Sequence, residues 1–314
     1  MYGKLLVVIG TRNRPDRLDR TLKAISKQNR LPSLVVICDS SDASIRDSVA
    51  VSVARSDLQI ILEFTERKSV NVQRNIAIRR GLKEGNFTLV QILDDDTEPL
   101  PGYFDSQINW LNSHVNCVGV SGITVPSSRR PEYSNAFTKR LHYLCGTDSK
   151  RQGDLTEAGV NIPIYSDAAS PTKVEWLMGC SMWKREVFAE IEFNETFLGS
   201  SLGDDIEFSC RAKSFGSLWT LPNALLRHDE EPAERPNSRL HSFRYVRNRW
   251  EIIRAMGSSA SKARFWASVV LTGLIQLRNS ISMNMDTIAR SENRTALAGT
   301  VAGSLATIQG KPPR

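Results

Sequence analysis

The sequence predicts an α/β fold, a mostly parallel sheet covered by helices, on three observations. Short apolar runs alternate with amphipathic segments through the first half of the chain, the runs are apolar on both faces, and acidic residues gather where the runs stop. A strand buried on both faces reads as a continuous apolar run, and such strands separated by helices belong to a parallel sheet with helices above and below. Ligands of open α/β sheets bind beyond the carboxyl ends of the strands, so the acidic gathering marks the edge where a site belongs.

Residues 5–9 form the first run, after which Leu18, Leu22 and Ile25 recur at the i, i+4, i+7 spacing of a helix face. Residues 34–38 form a second strand ending in Asp39-Ser40-Ser41-Asp42, and residues 59–64 a third. Residues 70–82 read as a helix carrying Arg74, Asn75, Arg79 and Arg80, and residues 87–93 as a fourth strand that stops at Asp94-Asp95-Asp96. Beyond it, 115–125 and 174–183 are apolar runs, while 126–173 is polar and is expected to hold loops and short elements. Leu202, Ile206 and Cys210 suggest a helix opened by Gly203, Asp204 and Asp205, and residues 217–226 a last strand ending at Arg227 and His228.

Two helices close the chain. Phe243, Val246, Trp250 and Ile253 give one apolar face, and Phe265, Trp266, Val269, Val270, Leu274 and Leu277 a denser stripe. As a helix, 265–277 is about 20 Å long, short of a hydrocarbon core of roughly 30 Å. After residue 291 the chain is small, polar and Gly-rich, which reads as a flexible tail. The expected organisation is a catalytic domain over 1–234, a basic amphipathic helical appendage over 235–290 and the tail over 291–314.

The 314 residues, 40% apolar and 24% charged, suffice for one large globular domain with an appendage. Five scattered cysteines without a Cys-x-x-Cys pair argue against a disulfide framework or a zinc ribbon and for a reducing, cytoplasmic setting. The first apolar run is too short for a signal-peptide core. The net charge of +7 is concentrated between residues 235 and 278, where nine Arg or Lys residues face the single acid Glu251. No zinc-finger, helix-turn-helix or aromatic RNA-binding pattern accompanies that charge, so phosphate on a substrate or an anionic membrane is the expected partner and nucleic acid is not.

Asp94, Asp95 and Asp96 repel one another unless something positive sits among them, and a divalent cation is the natural partner; a solvated turn is the plainer reading. Thr11, Arg12 and Arg14 after the first strand, Asp39 and Asp42 after the second, and Asp204, Asp205 and His228 in the second half complete the set that the topology brings to one edge. There is no Gly-x-Gly-x-x-Gly after the first strand and no Gly-Lys-Ser/Thr loop, which removes dinucleotide and P-loop readings.

In order along residues 4–230 stand Val7-Val8-Ile9-Gly10-Thr11-Arg12-Asn13-Arg14, Val36-Ile37-Cys38-Asp39-Ser40-Ser41-Asp42, Gln73-Arg74-Asn75, Leu93-Asp94-Asp95-Asp96-Thr97-Glu98-Pro99, Gly179-Cys180-Ser181-Met182-Trp183-Lys184-Arg185, Gly203-Asp204-Asp205-Ile206-Glu207-Phe208 and His228. This ordered set resembles the family 2 glycosyltransferases with the GT-A fold. The resemblance implies that Asp39 contacts the nucleobase, that Thr11, Arg12, Arg14, Asp42, Arg74, Asp94 and Asp95 line the nucleotide-sugar site, and that Gly179, Cys180 and Asp204 belong to the donor-sugar and acceptor loop. It implies that Asp94, Asp96 and His228 hold Mn2+ or Mg2+ and that Asp205 is the catalytic base. Two departures stand out: Asp204 where Glu is commoner, and Ser69 where a Gly often precedes the Gln-Arg-Asn segment.

The reaction implied is an inverting transfer of sugar from a nucleoside diphosphate, UDP-like as a first guess, to a glycan or lipid-linked acceptor in cell-surface polysaccharide or glycolipid assembly. A sugar nucleotidyltransferase and a non-catalytic nucleotide-sugar-binding protein are the alternatives. The basic appendage has two readings, peripheral attachment to the inner face of an anionic membrane, or packing on the domain or on a second copy in a homo-oligomer.

Overall fold

The structure, a computed structural model, describes residues 4–126, 136–149, 151–165, 169–197, 201–229 and 237–310. Its first half is β1 (Leu5–Thr11), α1 (Pro15–Ser26), β2 (Leu34–Asp39), α2 (Ala43–Ala54), β3 (Ile60–Phe64), α3 (Val70–Glu84), β4 (Leu89–Asp94), β5 (Thr97–Pro99) and α4 (Tyr103–Ser113). The second half is β6 (Cys117–Val125), α5 (Ala136–Leu144), β7 (Thr172–Val174), β8 (Ser181–Lys184), α6 (Val187–Glu190), α7 (Asp204–Ala212), β9 (Ser217–His228), α8 (Ser238–Met256), α9 (Lys262–Ile281) and α10 (Thr287–Ile308).

The strands join in one sheet of order β3-β2-β1-β4-β8-β6-β9-β5, with β7 added on β9. β3, β2, β1 and β4 run parallel, as the continuous apolar runs require. Antiparallel pairing enters where β8 joins β4 and β6, where β5 joins β9 and where β7 joins β9, so the sheet is mixed beyond β4. Alternation along β1 sends Leu5, Val7 and Ile9 to one core layer, with Leu18, Leu22 and Ile25 of α1 and Phe104 and Ile108 of α4. Leu6 and Val8 go to the other layer, with Ala77 and Ile78 of α3, Trp183 and Phe208. Both faces are covered, and the parallel pairing sets the strands' carboxyl ends level: Gly10 lies opposite Asp94, and Thr11 opposite Asp39.

The chain divides into two units, residues 1–130 with 163–230 and residues 131–162 with 231–314. The boundary expected at 234/235 and the last four residues lie outside the described residues, as do parts of the polar stretch 126–173. What is described of that stretch between 136 and 162 belongs to the second unit. There Glu157 accepts a hydrogen bond at its carbonyl from the Ser261 amide at 2.8 Å, at the start of α9.

Two expectations for the C-terminus are corrected. Residues 291–308 are helix, the greater part of α10, and not a flexible tail. The small residues that make the segment read as a tail are the ones the helix packs through, Gly299, Thr300, Gly303 and Thr307, while its apolar period of Val301, Leu305 and Ile308 lies outside. The stripe read over 265–277 divides: Phe265 and Val269 pack with Val246, Ile253 and Trp250 of α8, whereas Val270, Leu274 and Leu277 stay exposed. Among the described residues no helix is long and apolar enough to cross a membrane.

Candidate active site

β4 ends at Asp94, and the turn after it is fixed by the Thr97 hydroxyl donating to the Asp94 carbonyl at 2.7 Å. β5 then pairs antiparallel with the end of β9, setting Thr97 opposite His228. That register brings His228 Nε2 to 3.2 Å from Asp96 Oδ1. One ligand atom each from Asp94, Asp96 and His228 lies within 4.8 Å of the other two. Two carboxylate oxygens and an imidazole nitrogen that close form a donor set suited to Mn2+ or Mg2+.

The three aspartates are held differently. Asp94 accepts from Arg74 Nη2 at 2.9 Å and from the Cys180 thiol at 3.7 Å, and its side chain keeps a third of its surface. Asp95 is buried, with one oxygen accepting from the Thr11 hydroxyl at 2.7 Å and the other from Arg14 Nη1 at 3.0 Å. Burial pushes its carboxyl up to about 6 against the pull of Arg14 and Thr11. Asp96 accepts from Arg14 Nη1 at 3.2 Å and Arg17 Nη1 at 3.3 Å. Burial would raise its pKa too, but His228 and the two arginines outweigh it and hold the carboxyl below the usual range.

α3 carries Arg74 into the interior, where it reaches Asp204 Oδ2 at 2.6 Å as well as Asp94. The guanidinium also lies 5.3 Å over the Phe193 ring. Gly179 makes room for it, since a Cβ there would stand 3.1 Å from Arg74 Nη2 and 3.7 Å from Asp94 Oδ2. Asp204 and Asp205 open α7 after Gly203, whose φ of +84° suits a residue without a side chain. Burial raises both carboxyls above the ordinary range while Arg74 opposes the rise. Asp204 thus uses a shorter arm than Glu to meet Arg74. Ser69, the other departure, has extended backbone (φ −144°, ψ 127°) that needs no glycine.

On the other side of the sheet edge, Asp39 is fully buried and its Oδ1 accepts from the Ser41 amide at 2.8 Å and hydroxyl at 2.5 Å. Its Oδ2 is buried with no hydrogen-bond partner. Asp42 is exposed; a hydrogen bond from Lys68 at 2.7 Å, aided by Asn13 at 2.8 Å, holds its carboxyl below the usual range, with a lesser pull from exposed Arg12. The Cys180 carbonyl accepts from Tyr103 at 2.9 Å, and burial raises the Cys180 thiol's pKa.

The sequence-predicted residues thus gather into two clusters at one sheet edge, joined through the Thr11–Asp95 bond. Two contributors carried no assigned role. Arg17 is buried and also donates to the Asp229 carbonyl at 3.2 Å; its spacing of three from Arg14, the residue that opens α1, is the available signal. Gln73 Nε2 ties the Thr11 and Cys38 carbonyls at 2.6 and 2.8 Å, clamping β1 to β2, and nothing in the spacing announces that.

Comparison with known proteins bears on this arrangement. No curated protein sequence matches the chain. Among solved structures, the mannosyltransferase PcManGT from Pyrobaculum calidifontis in complex with GDP-Man and Mn2+ is similar over 99% of this chain and 88% of that one, with a TM-score of 0.56 and 15% identity. GalNAc-T7 with UDP, GalNAc and Mn2+ is similar over 99% of this chain and 59% of that one, at a TM-score of 0.56 and 12% identity. Residues 1–349 of S. aureus TarS match 99% of this chain and 93% of that one at 0.50 and 12%. These likenesses are of fold. The sequence profile described as "Glycosyltransferase like family 2" matches residues 3–250, which is most of the chain, and the protein belongs to that family.

Proposed function

We propose that this glycosyltransferase is inverting and metal-dependent, transferring a sugar from a nucleoside diphosphate to a hydroxyl of a glycan or lipid-linked acceptor in cell-surface polysaccharide or glycolipid assembly. The observation that carries the reading is the convergence of Asp94, Asp96 and His228 within 4.8 Å, tied through Arg74 to the carboxylate pair of α7. Asp94, Asp96 and His228 would hold Mn2+ or Mg2+, which supplies Lewis-acid neutralisation of charge on a departing diphosphate. Asp205 is the base that takes the proton of the attacking hydroxyl. Its raised pKa supports that role, because a carboxylate nearer neutrality is a better proton acceptor than an ordinary one.

Asp204 is the anchor of the pair: its bond to Arg74 fixes the start of α7 and leaves the neighbouring Asp205 to the acceptor. Asp39 Oδ2, a buried acceptor without a partner, is suited to an N–H of the donor's base, and the known uridine and guanosine donors of similar folds both offer one. Cytoplasmic placement is part of the same proposal. The test is Asp205→Asn: transfer to acceptor should collapse while calorimetric affinity for the nucleotide diphosphate with Mn2+ persists. Retention of transfer would remove Asp205 from the reaction and with it the proposed mechanism.

A further inference from the structure

Within the second unit the burial of α10 is inverted. Its small residues face inward: a Cβ at Gly299 would fall 2.1 Å from the Arg239 carbonyl oxygen of α8, and one at Gly303 2.8 Å from that of Phe243. Two backbones in such contact leave no space for larger side chains between them, so the helix keeps its aliphatic residues outside. Val301, Leu305 and Ile308 are 51%, 53% and 70% exposed. On α9, Val270, Leu274, Leu277 and Ile281 are 58%, 57%, 46% and 68% exposed, at steps of four, three and four residues that define one helix face.

The two helices lie side by side and antiparallel. Gly273 is next to Leu297, the Thr300 hydroxyl donates to Gln276 Oε1 at 2.9 Å, and Arg294 reaches the Ser280 carbonyl at 3.5 Å. Residues 265–277 and 295–308 contain no charged side chain, and this pairing sets them alongside each other. Among the described residues, thirteen of the nineteen exposed large apolar side chains fall in the unit 131–162 with 231–314, too many to be scattered surface residues.

Charge decides what covers this surface. Exposed Lys262, Arg264 and Arg278 border the aliphatic face of α9, and residues 231–314 carry thirteen Arg or Lys against five acids. A second copy seated here would bring the same excess of positive charge against the first, which disfavours the pairing. An anionic bilayer offers both what the aliphatic side chains and what the cations need. We propose that the outward faces of α9 and α10 dock on an anionic lipid surface. The surface includes no residue of the proposed reaction, so it stands or falls apart from that mechanism.

The full-length protein should sediment with phosphatidylglycerol/phosphatidylcholine vesicles at least tenfold more strongly than with phosphatidylcholine alone, and salt should weaken that binding. Leu274→Asp with Leu305→Asp, at exposed positions that leave the interior untouched, should lower partitioning at least tenfold while donor hydrolysis is retained. Arg278→Gln with Arg294→Gln keeps the aliphatic face and should lower it about fivefold per charge. Equal binding to neutral and anionic vesicles, or wild-type binding by both double variants, would overturn the proposal. So would a dimer mass by light scattering that the two aspartates reduce to a monomer, since a second copy would then occupy the face.

Discussion

Replacing Arg74 by Met keeps much of the side chain's length and removes its charge. The guanidinium is almost wholly buried and serves two carboxylates, of which Asp204 is also buried and Asp94 a third exposed. Breaking a buried pair from one side leaves an uncompensated charge and costs about 3–5 kcal/mol. The Asp94 arm is partly screened by solvent and adds little, so the Asp204 arm accounts for most of the loss and the lower end, about 3 kcal/mol, is expected. Asp204 already has its pKa raised in the fold, so this group's contribution to stability falls as pH rises from its unfolded value through the folded one. Arg74 limits that fall. Without it the folded pKa moves higher still, and the variant's deficit should be larger at about pH 8 than at about pH 5, where Asp204 is protonated in both proteins. Urea unfolding at both pH values, in buffer with chelator so that no metal contributes, measures the difference. A loss under about 1 kcal/mol, or one of equal size at both pH values, would refute the assignment of Arg74 as the counter-charge of Asp204.

Asp205→Asn should reduce turnover by about a hundredfold or more, in the range of lost general-base catalysis, with donor affinity within about twofold in calorimetry. Asp96→Asn should weaken Mn2+-dependent binding of a nucleoside diphosphate while leaving metal-independent binding unchanged, as titrations with and without chelator will read. In Asp39→Asn the Ser41 bonds keep the amide oxygen where Oδ1 now sits, which turns the Nδ2 donor toward the position of Oδ2; nucleotide affinity should fall about tenfold in the same assay.

How much of this was legible depended on the kind of interaction. β1, β2 and β4 were readable because both of their faces are buried and leave continuous apolar runs. α2 left a fainter mark: Ile45, Val49 and Val53 recur at steps of four and pack on the core, but Ser48, Ser52 and exposed Val51 dilute the stripe. β5 looked like a turn because Thr97, Glu98 and Pro99 favour one, and only their pairing with the distant β9 makes them a strand. The carboxylates of the site showed themselves by sitting where strands stop. Arg74's two ion pairs did not, because they join residues 20 and 130 positions away in sequence. The polar stretch between 136 and 162 stayed unreadable because it is held by irregular backbone bonds within itself, such as Ile162 to Asp154, and by one from Ser261 about a hundred positions downstream.

Those backbone contacts also limit how the protein can be dissected. The chain visits the second unit twice, first with residues 136–162 and again with α8, α9 and α10. Gly159 rests against Arg249 and Ile253, where an added Cβ would stand 3.2 and 3.3 Å away, and the Glu157 carbonyl receives the first amide of the α9 cap. A stop codon ahead of α8 therefore does more than remove three helices. It takes Ser261, Arg249 and Ile253 away from Glu157 and Gly159, in the middle of the remaining polypeptide. Separating the roles of the two units calls for substitutions on the outer surface of the second, with both visits of the chain kept in place.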